Sequence, residues 1–202
     1  IMPYTFTYYE NDIKENDLVL VVTQSGLSTN AIEALKIIKK KECRAICLTG
    51  NKNSDVKDVA DVVIEYGVGE ELVGYVTKGV SSLALFLDLF AIAYSGKIEY
   101  LDELKKAVDL NEEMIDQATS FIQQHYKNFS SMSWVYSCGA GANYGTALES
   151  ALKMGETIHI PSCCYEIEEY IHGPNLQLTP QYNVIFFDGN DGASRRVEQV
   201  YK

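Results

Sequence analysis

An uninterrupted apolar run, "LVLVV" at Leu18–Val22, constrains the fold of this chain more than any other segment. Apolar residues at every position are typical of a strand covered on both faces, as in a parallel sheet. A helix is predicted next, over Ser28–Lys41. Its apolar residues recur at helical spacing, and they are Ala31, Ile32, Ala34, Leu35 and Ile38.

The alternation of strand and helix continues to residue 65. Arg44–Thr49, "RAICLT", is predicted as the next strand, and a turn rich in Gly and Asn follows it. One or two helical turns are predicted at Ser54–Ala60, with Ser54 as the N-cap. Val62–Glu65 is predicted as a short strand. This order predicts an α/β fold with a parallel sheet and helices on its faces.

The most apolar run of the chain is Val80–Tyr94. It is too short to span a bilayer and contains Asp88, so the sequence predicts a buried helix over Ser81–Tyr94 that ends at Gly96. Tyr100–Lys127 is charged and amphipathic, and it is predicted as a connecting helix or helix pair.

The strand and helix pattern begins again after residue 131, which suggests an internal duplication. The predicted elements are a strand at Trp134–Ser137, a Gly-rich turn, a helix at Ala142–Ile158, a short helix at Tyr165–Ile171, a strand at Val184–Asp188 and a helix from Ala193. The first unit begins after a segment without predicted structure, "IMPYTFTYYEND". A three-stranded parallel sheet with an open edge is marginal alone, so we expect strands to be missing from both units.

The net charge of −11 disfavours nucleic acid and anionic membrane surfaces as partners, because both attract basic proteins. A small anionic ligand needs only a local site and stays compatible with this charge. The five cysteines are odd in number and form no CxxC pair. They are predicted to be reduced thiols in a cytoplasmic protein.

The segment between the first strand and the first helix, "TQSGLS", combines several features of an anion site. It lies where ligands bind in open α/β sheets, and the first N–H groups of the helix are free there. Gly26 allows close approach of the backbone. Hydroxyl groups come from Thr23, Ser25, Ser28 and Thr29. The segment therefore suits a phosphate, although a plain N-cap formed by Ser25 or Ser28 would explain part of it.

"TQSGLSTNAIEAL" resembles the signature of the sugar isomerase (SIS) domain, Ser-x-Ser-Gly-x-Ser/Thr, and the downstream segments resemble that family too. The resemblance implies that Thr23, Gln24, Ser25, Gly26 and Ser28 hold the phosphate of a sugar. Two positions depart from the family pattern. Thr23 replaces a common Ser and keeps the hydroxyl, and Leu27 replaces a common Glu.

"GAGANYGTALESALKMGETIHIPSCCYEIEEYIHGP" resembles the start of the second domain in tandem SIS proteins. These include the isomerase half of glucosamine-6-phosphate synthase and the fructosamine-6-phosphate deglycases. The resemblance implies that Glu156 and His172 are catalytic, with His172 reaching the site of a neighbouring subunit in a homodimer. Without it, Glu156 is interpreted as a solvated charge and His172 as part of a turn. Glu166, Glu168 and Glu169 are predicted to form a solvated acidic face, and of the three Glu169 is expected to line the site.

The chemistry agrees with these roles, because a carboxylate can move a proton between C1 and C2 of an open-chain sugar and His suits ring opening. The resemblance implies a three-layer αβα fold with parallel sheets and two SIS-type (flavodoxin-like) domains, both incomplete here. Residues 1–98 and 132–202 are the predicted domains, with 99–131 as connecting helices.

The predicted function is that of a phosphosugar isomerase or deglycase acting on a ketose or amino-sugar 6-phosphate. No cofactor, metal, nucleic acid or membrane is expected to take part. A glucosamine–fructose-6-phosphate aminotransferase and a non-catalytic phosphosugar-binding regulator stay open as alternatives.

Overall fold

A computed structural model describes all 202 residues, Ile1–Lys202, and the chain divides into two compact units, Ile1–Val108 and Asp109–Lys202. The strands are β1 Leu20–Thr23, β2 Ile46–Thr49, β3 Val62–Glu65, β4 Trp134–Gly139, β5 Ser162–Glu166 and β6 Tyr182–Phe187. The α-helices are α1 Pro3–Tyr8, α2 Thr29–Lys40, α3 Lys78–Ser95, α4 Leu101–Gln124, α5 Tyr126–Ser130, α6 Ala142–Lys153, α7 Ile167–Ile171 and α8 Ser194–Tyr201.

The first unit contains a parallel sheet in the order β1-β2-β3, as the alternation of strands and helices predicts. Thr23 lies beside Thr49, so the carboxyl ends of β1 and β2 meet at the same edge. Helix α2 packs on this sheet through the predicted apolar face, and Leu35 and Ile38 are fully buried there. Burial of side chains of this size contributes about 1.5–3 kcal/mol each.

Two local predictions in this unit are wrong. The N-terminal segment forms helix α1, which begins at Pro3 and buries Phe6 in the core. Proline suits the first position of a helix because its missing N–H would have no partner there. Ser54 precedes a 3₁₀ turn at Asp55–Asp58 but makes no side-chain cap. Its hydroxyl donates instead to the carbonyl of Asn51 at 2.6 Å.

Helix α3 is longer and far more exposed than the sequence predicts. It ends at Gly96, whose left-handed φ of +70° fits the predicted C-terminus. Leu83 and Phe86 pack against a buried cluster, yet only 6% of the helix is buried. The prediction of a buried helix is therefore wrong, since Gly79 is the only buried residue of α3. By length and composition alone this helix could cross a membrane, so the absence of a membrane partner stays a prediction.

The second unit contains a parallel sheet in the order β5-β4-β6. Strand β5 was not predicted, and the short helix predicted from Tyr165 begins only at Ile167. The sequence of β5, "SCCYE", contains no apolar run that would predict a strand, and the strand is only partly buried. The central strand β4 is buried from Val135 to Gly139, and its Gly139 lies beside both Glu166 and Phe187 at the carboxyl edge.

The helix predicted over residues 142–158 changes character part of the way along. It is α-helical to Lys153 and continues as a π-helical turn over Met154–Ile158. His159 then takes a left-handed φ of +59° and ends the helix. Turns of this kind are rare and occur frequently at functional sites.

No disulfide links the five cysteines. Burial raises the pKa of Cys47 to about 11 and the pKa of Cys138 to about 12. These two thiols therefore stay protonated near neutral pH and act as small apolar packing groups. The cytoplasmic location stays a prediction.

Candidate functional site

A cavity of about 720 Å³ opens at the carboxyl edge of the first sheet. Its lining comes from three loops, and the residues are Gln24, Ser25, Gly50, Asn51, Gly69, Glu70, Glu71 and Val76. Ligands of open α/β sheets bind at this edge, outside the carboxyl ends of the strands. The cavity therefore lies where the "TQSGLS" segment predicts a site.

Hydrogen bonds from the end of β2 and the loop after it hold the loop between β1 and α2 in place. The carbonyl of Gln24 accepts hydrogen bonds from Gly50 N at 2.9 Å and from Thr49 Oγ1 at 3.3 Å. Gly26 has a φ of +67°, and a Cβ at this position would lie 1.8 Å from Ser54 Oγ. Both the backbone conformation and the lack of space demand glycine here.

The start of α2 has no internal cap. Ser28 occupies the N-cap position but makes no side-chain cap hydrogen bond. The Oγ of Ser25 accepts from Leu27 N at 3.2 Å, which leaves its own proton free to donate. The plain N-cap alternative is therefore wrong, and the first N–H groups of the helix have no capping side chain. With the positive end of the helix dipole, they form a place suited to an anion.

The predicted anchor residues differ in their position relative to the cavity. Gln24 and Ser25 line it directly. Ser28 is exposed at the helix start, whereas the side chain of Thr23 is only 8% exposed and does not line the cavity. Contacts between these residues and a phosphate stay predictions.

Glu71 is a cavity residue that the sequence does not predict. Its Oε1 accepts from the N–H groups of Thr77 at 2.8 Å and Lys78 at 2.7 Å. Its Oε2 accepts from Gly79 N at 3.0 Å and from Gln24 Nε2 at 2.9 Å. These hydrogen bonds, led by the one from Gln24, lower the pKa of Glu71 to about 2. The start of α3 therefore already holds an anion, whereas the start of α2 does not.

Glu156 lies in the π-helical turn of the second unit, beside a groove of about 710 Å³ between this turn and β5. Its Oε2 accepts from Lys153 Nζ at 2.7 Å, and Lys153 also lies 3.5 Å from Oε1 of Glu149. The hydrogen bond to Glu156 raises the pKa of Lys153. The ion pair fixes the position of the Glu156 side chain beside the groove. Lys153 was missed, although its position three residues before Glu156 in "ALKMGE" marks a pair on one helix face.

His172 lies at the C-terminal end of α7, where its side chain is exposed. It does not line the groove beside Glu156. The predicted catalytic pair therefore does not share one cavity within this unit.

The three glutamates of the predicted acidic face have different roles. Glu166 caps α7 by accepting from Glu168 N at 2.6 Å and from Glu169 N at 3.4 Å. Glu168 pairs with Arg196, whose Nη2 lies 3.0 Å from Oε2, and this hydrogen bond lowers the pKa of Glu168. Glu169 is exposed and does not line the groove.

The loop from β6 to α8 contains two carboxylates that accept hydrogen bonds from groups of the same loop and of the first helical residue. Asp188 Oδ1 accepts from Asn190 N at 3.1 Å and from Ser194 Oγ at 2.5 Å. Asp191 Oδ1 accepts from Ala193 N at 2.8 Å. This loop is negatively charged and offers no evident site for an anion.

The family model for the SIS domain matches residues 5–93. The glutamine–fructose-6-phosphate aminotransferase [isomerizing] of Caldanaerobacter subterraneus subsp. tengcongensis is 31% identical over 83% of this chain and 29% of its own length. The enzyme of the same name from Thermotoga maritima is 28% identical over 89% of this chain and 31% of its own length. The chain thus spans less than a third of these relatives.

Solved structures share the fold. A protein from Clostridium difficile 630 assigned as a phosphosugar isomerase is 28% identical, with a TM-score of 0.85 over 98% of this chain and 60% of that chain. The C-terminal domain of glucosamine-fructose-6-phosphate aminotransferase from Francisella tularensis has a TM-score of 0.90 over 98% of this chain and 59% of that chain, at 22% identity. Residues 5–93 therefore match the SIS domain, and most of the chain is similar in sequence to glutamine–fructose-6-phosphate aminotransferases.

Proposed function

We propose that the protein is a phosphosugar isomerase or deglycase that binds the phosphate of a ketose or amino-sugar 6-phosphate at the start of α2. The observation that carries this proposal is the uncapped helix start, with the free hydroxyls of Ser25 and Ser28, beside a cavity large enough for a sugar. The names of the homologous aminotransferases and of the C. difficile protein support a phosphosugar substrate.

In this proposal Glu156 is the base that moves a proton between C1 and C2 of the open-chain sugar. The ion pair with Lys153 supports this role, because it holds the carboxylate in place at the edge of the groove. His172 opens the sugar ring in the site of a neighbouring subunit, so that the active protein is a homodimer. The exposed position of His172, away from the groove of its own unit, supports a role towards another chain.

The second unit is proposed to be a second SIS-type domain, with residues 1–98 and 132–202 as the two domains and 99–131 as their connection. The support is a common plan, since each unit contains a three-stranded parallel sheet whose strands lead through loops into helices. The two units differ in strand order, which is β1-β2-β3 in the first and β5-β4-β6 in the second.

The test of this mechanism is the turnover of fructose 6-phosphate and of fructosamine 6-phosphates by the full-length protein and by Glu156→Gln. Loss of a positioned base lowers turnover by about 10²–10⁴-fold. Binding of the sugar phosphate is expected to persist, because the anchor lies elsewhere in the sequence. Glu149→Gln is the matched control, since Glu149 also faces Lys153 and loses the same charge. Full activity of Glu156→Gln would exclude the assigned base.

An aminotransferase is the second candidate function, favoured by the 31% identity to a glutamine–fructose-6-phosphate aminotransferase. Fructose 6-phosphate supplied with glutamine or with ammonia would then yield glucosamine 6-phosphate. A deglycase would instead release an amine from a fructosamine 6-phosphate. A regulator would be stabilised against heat by these sugars and would form no product.

A further inference from the structure

The side chain of Gln24 is fixed by two residues, Glu71, which accepts from the first N–H groups of α3, and Gly79, which lies in the first turn of α3. The first contact is the hydrogen bond from Nε2 of Gln24 to Oε2 of Glu71, 2.9 Å long, which links residues 47 positions apart in the sequence. The acceptor is ionised throughout the neutral range, so this hydrogen bond is of the stronger, charge-assisted kind. The same carboxylate is itself immobilised by the backbone N–H groups of residues 77–79.

The second residue is Gly79, which leaves room for the carboxamide of Gln24. A Cβ at Gly79 would lie 1.8 Å from Oε1 and 2.6 Å from Cδ of Gln24. Any other residue at position 79 would therefore displace the Gln24 side chain. Glycine is otherwise a poor choice inside the first turn of a helix, since alanine has the higher helix propensity.

A carboxamide nitrogen carries two hydrogens, and the bond to Glu71 uses one of them. The other remains for a ligand in the cavity that Gln24 lines. A free glutamine side chain would lose rotamer freedom when it binds a ligand, which weakens binding. A side chain that is already fixed avoids most of this loss.

We propose that Glu71 is a positioning residue, which together with the space at Gly79 holds the Gln24 carboxamide ready to donate a hydrogen bond to the sugar phosphate. This inference rests on the proposed function of the cavity. Glu71 acts through Gln24 and the start of α3 and is not assigned a contact with the substrate.

The test is a double-mutant cycle in the full-length protein, with the dissociation constant of fructose 6-phosphate as the readout. Glu71→Gln replaces the carboxylate with a neutral side chain of equal size and sets an amide N–H₂ or a weaker acceptor against Gln24. We expect it to weaken binding about 5–10-fold, as for the loss of one hydrogen bond. In a Gln24→Ala background the same substitution should change the dissociation constant less than twofold, because nothing remains to be positioned.

Gly79→Ala is the second variant; its Cβ displaces Gln24 and also meets Cγ1 of Val76 at 2.7 Å, while the Glu71 side chain is unchanged. The same loss of affinity is expected, again absent in the Gln24→Ala background, while urea unfolding shows that α3 still forms. Wild-type affinity in both Glu71→Gln and Gly79→Ala would overturn the inference. So would a loss of affinity that persists in the Gln24→Ala background, because it would show a structural role alone.

The wild-type protein and Ser28→Asp separate this inference from the proposed function. If wild type binds fructose 6-phosphate and Ser28→Asp does not, the anchor stands and the variants of Glu71 and Gly79 decide the inference by themselves. If wild type fails to bind any of the sugar phosphates, the proposed function falls and the inference falls with it.

Discussion

Two of the loops that connect a parallel strand to a helix differ in the charge that they place beside the start of that helix. In the β1–α2 loop the helix start is uncapped and surrounded by neutral hydroxyls and amides. In the β6–α8 loop, Asp188 and Asp191 accept hydrogen bonds from the loop's own N–H and hydroxyl groups. A shared geometry therefore does not imply a shared ligand, because the carboxylates beside the start of α8 would repel an external anion.

The largest effect is expected when the first loop is made to resemble the second. Ser28→Asp places a carboxylate at the start of α2, where it should abolish sugar phosphate binding by at least about 100-fold through repulsion of the phosphate. Aspartate is a favourable N-cap, so stability should be kept or improved. Isothermal titration with fructose 6-phosphate and urea unfolding measure the two effects.

The matched control for that change is Asn190→Asp in the β6–α8 loop. Asn190 has a left-handed φ of +51°, a conformation that Asp also tolerates. This variant adds the same charge beside the other helix and should bind fructose 6-phosphate like wild type. Equal losses in both variants would attribute the effect to net charge and would contradict the comparison.

A smaller effect is expected when the first loop loses one hydroxyl. Ser25→Ala removes a donor at the wall of the cavity and should weaken sugar phosphate binding about 10-fold, the value of one hydrogen bond. The free energy of unfolding should change little, because the Ser25 hydroxyl makes only the exposed contact to Leu27 N. Unchanged affinity would remove Ser25 from the anchor.

The converse substitution tests whether the carboxylates of the second loop serve its local structure. Asp188→Ala removes the acceptor of Asn190 N and Ser194 Oγ and should cost about 1 kcal/mol of stability, as for the loss of a hydrogen bond. Sugar phosphate affinity should stay at the wild-type value. Urea unfolding and titration with fructose 6-phosphate distinguish these outcomes, and a lowered affinity would assign this loop to the ligand.

The smallest effect at working pH concerns Glu71, the carboxylate that fills the start of α3. The pKa of Glu71 is lowered from the ordinary value of 4.5 to about 2 in the folded protein. Its contribution to stability is therefore fully present above about pH 4.5. That contribution is lost as the pH falls through about 2. The difference in urea midpoint between wild type and Glu71→Gln should therefore be constant from pH 7 to pH 5 and should shrink at pH 3. A constant difference down to pH 3 would show that ionisation of Glu71 is unimportant.

The elements of the fold that could be predicted are those with a pattern of their own. The parallel strands β1 and β6 show continuous apolar runs, and α2 shows its buried face through residues such as Leu35 and Ile38. Helix α1 and strand β5 are too short, at six and five residues, to show a period. The exposure of α3 depends on what packs around it, which its composition does not reveal.

The candidate site divides in the same way. The residues of the "TQSGLS" loop are contiguous in the chain, so its glycine and hydroxyl groups could be identified from the sequence. The bond between Gln24 and Glu71 spans 47 positions and depends on the fold. The side chain of Thr23 points into the protein, because alternate residues of a strand face opposite sides and Thr23 is still part of β1. The ion pair of Lys153 and Glu156 could have been predicted from their spacing of three residues, but only Glu156 was predicted.

The π-helical turn that carries Glu156 has a consequence for how proteins of this kind can evolve. A π turn closes its hydrogen bonds over five residues instead of four, so it holds one residue more than an α-helical path. Deletion of a single codon within Met154–Ile158 would restore a regular helix and rotate the carboxylate away from its groove. The phosphate anchor near the other end of the chain would be untouched. Under the proposed function, this one genetic event would remove catalysis and leave a receptor for the same sugar, and the reverse event would restore the chemistry.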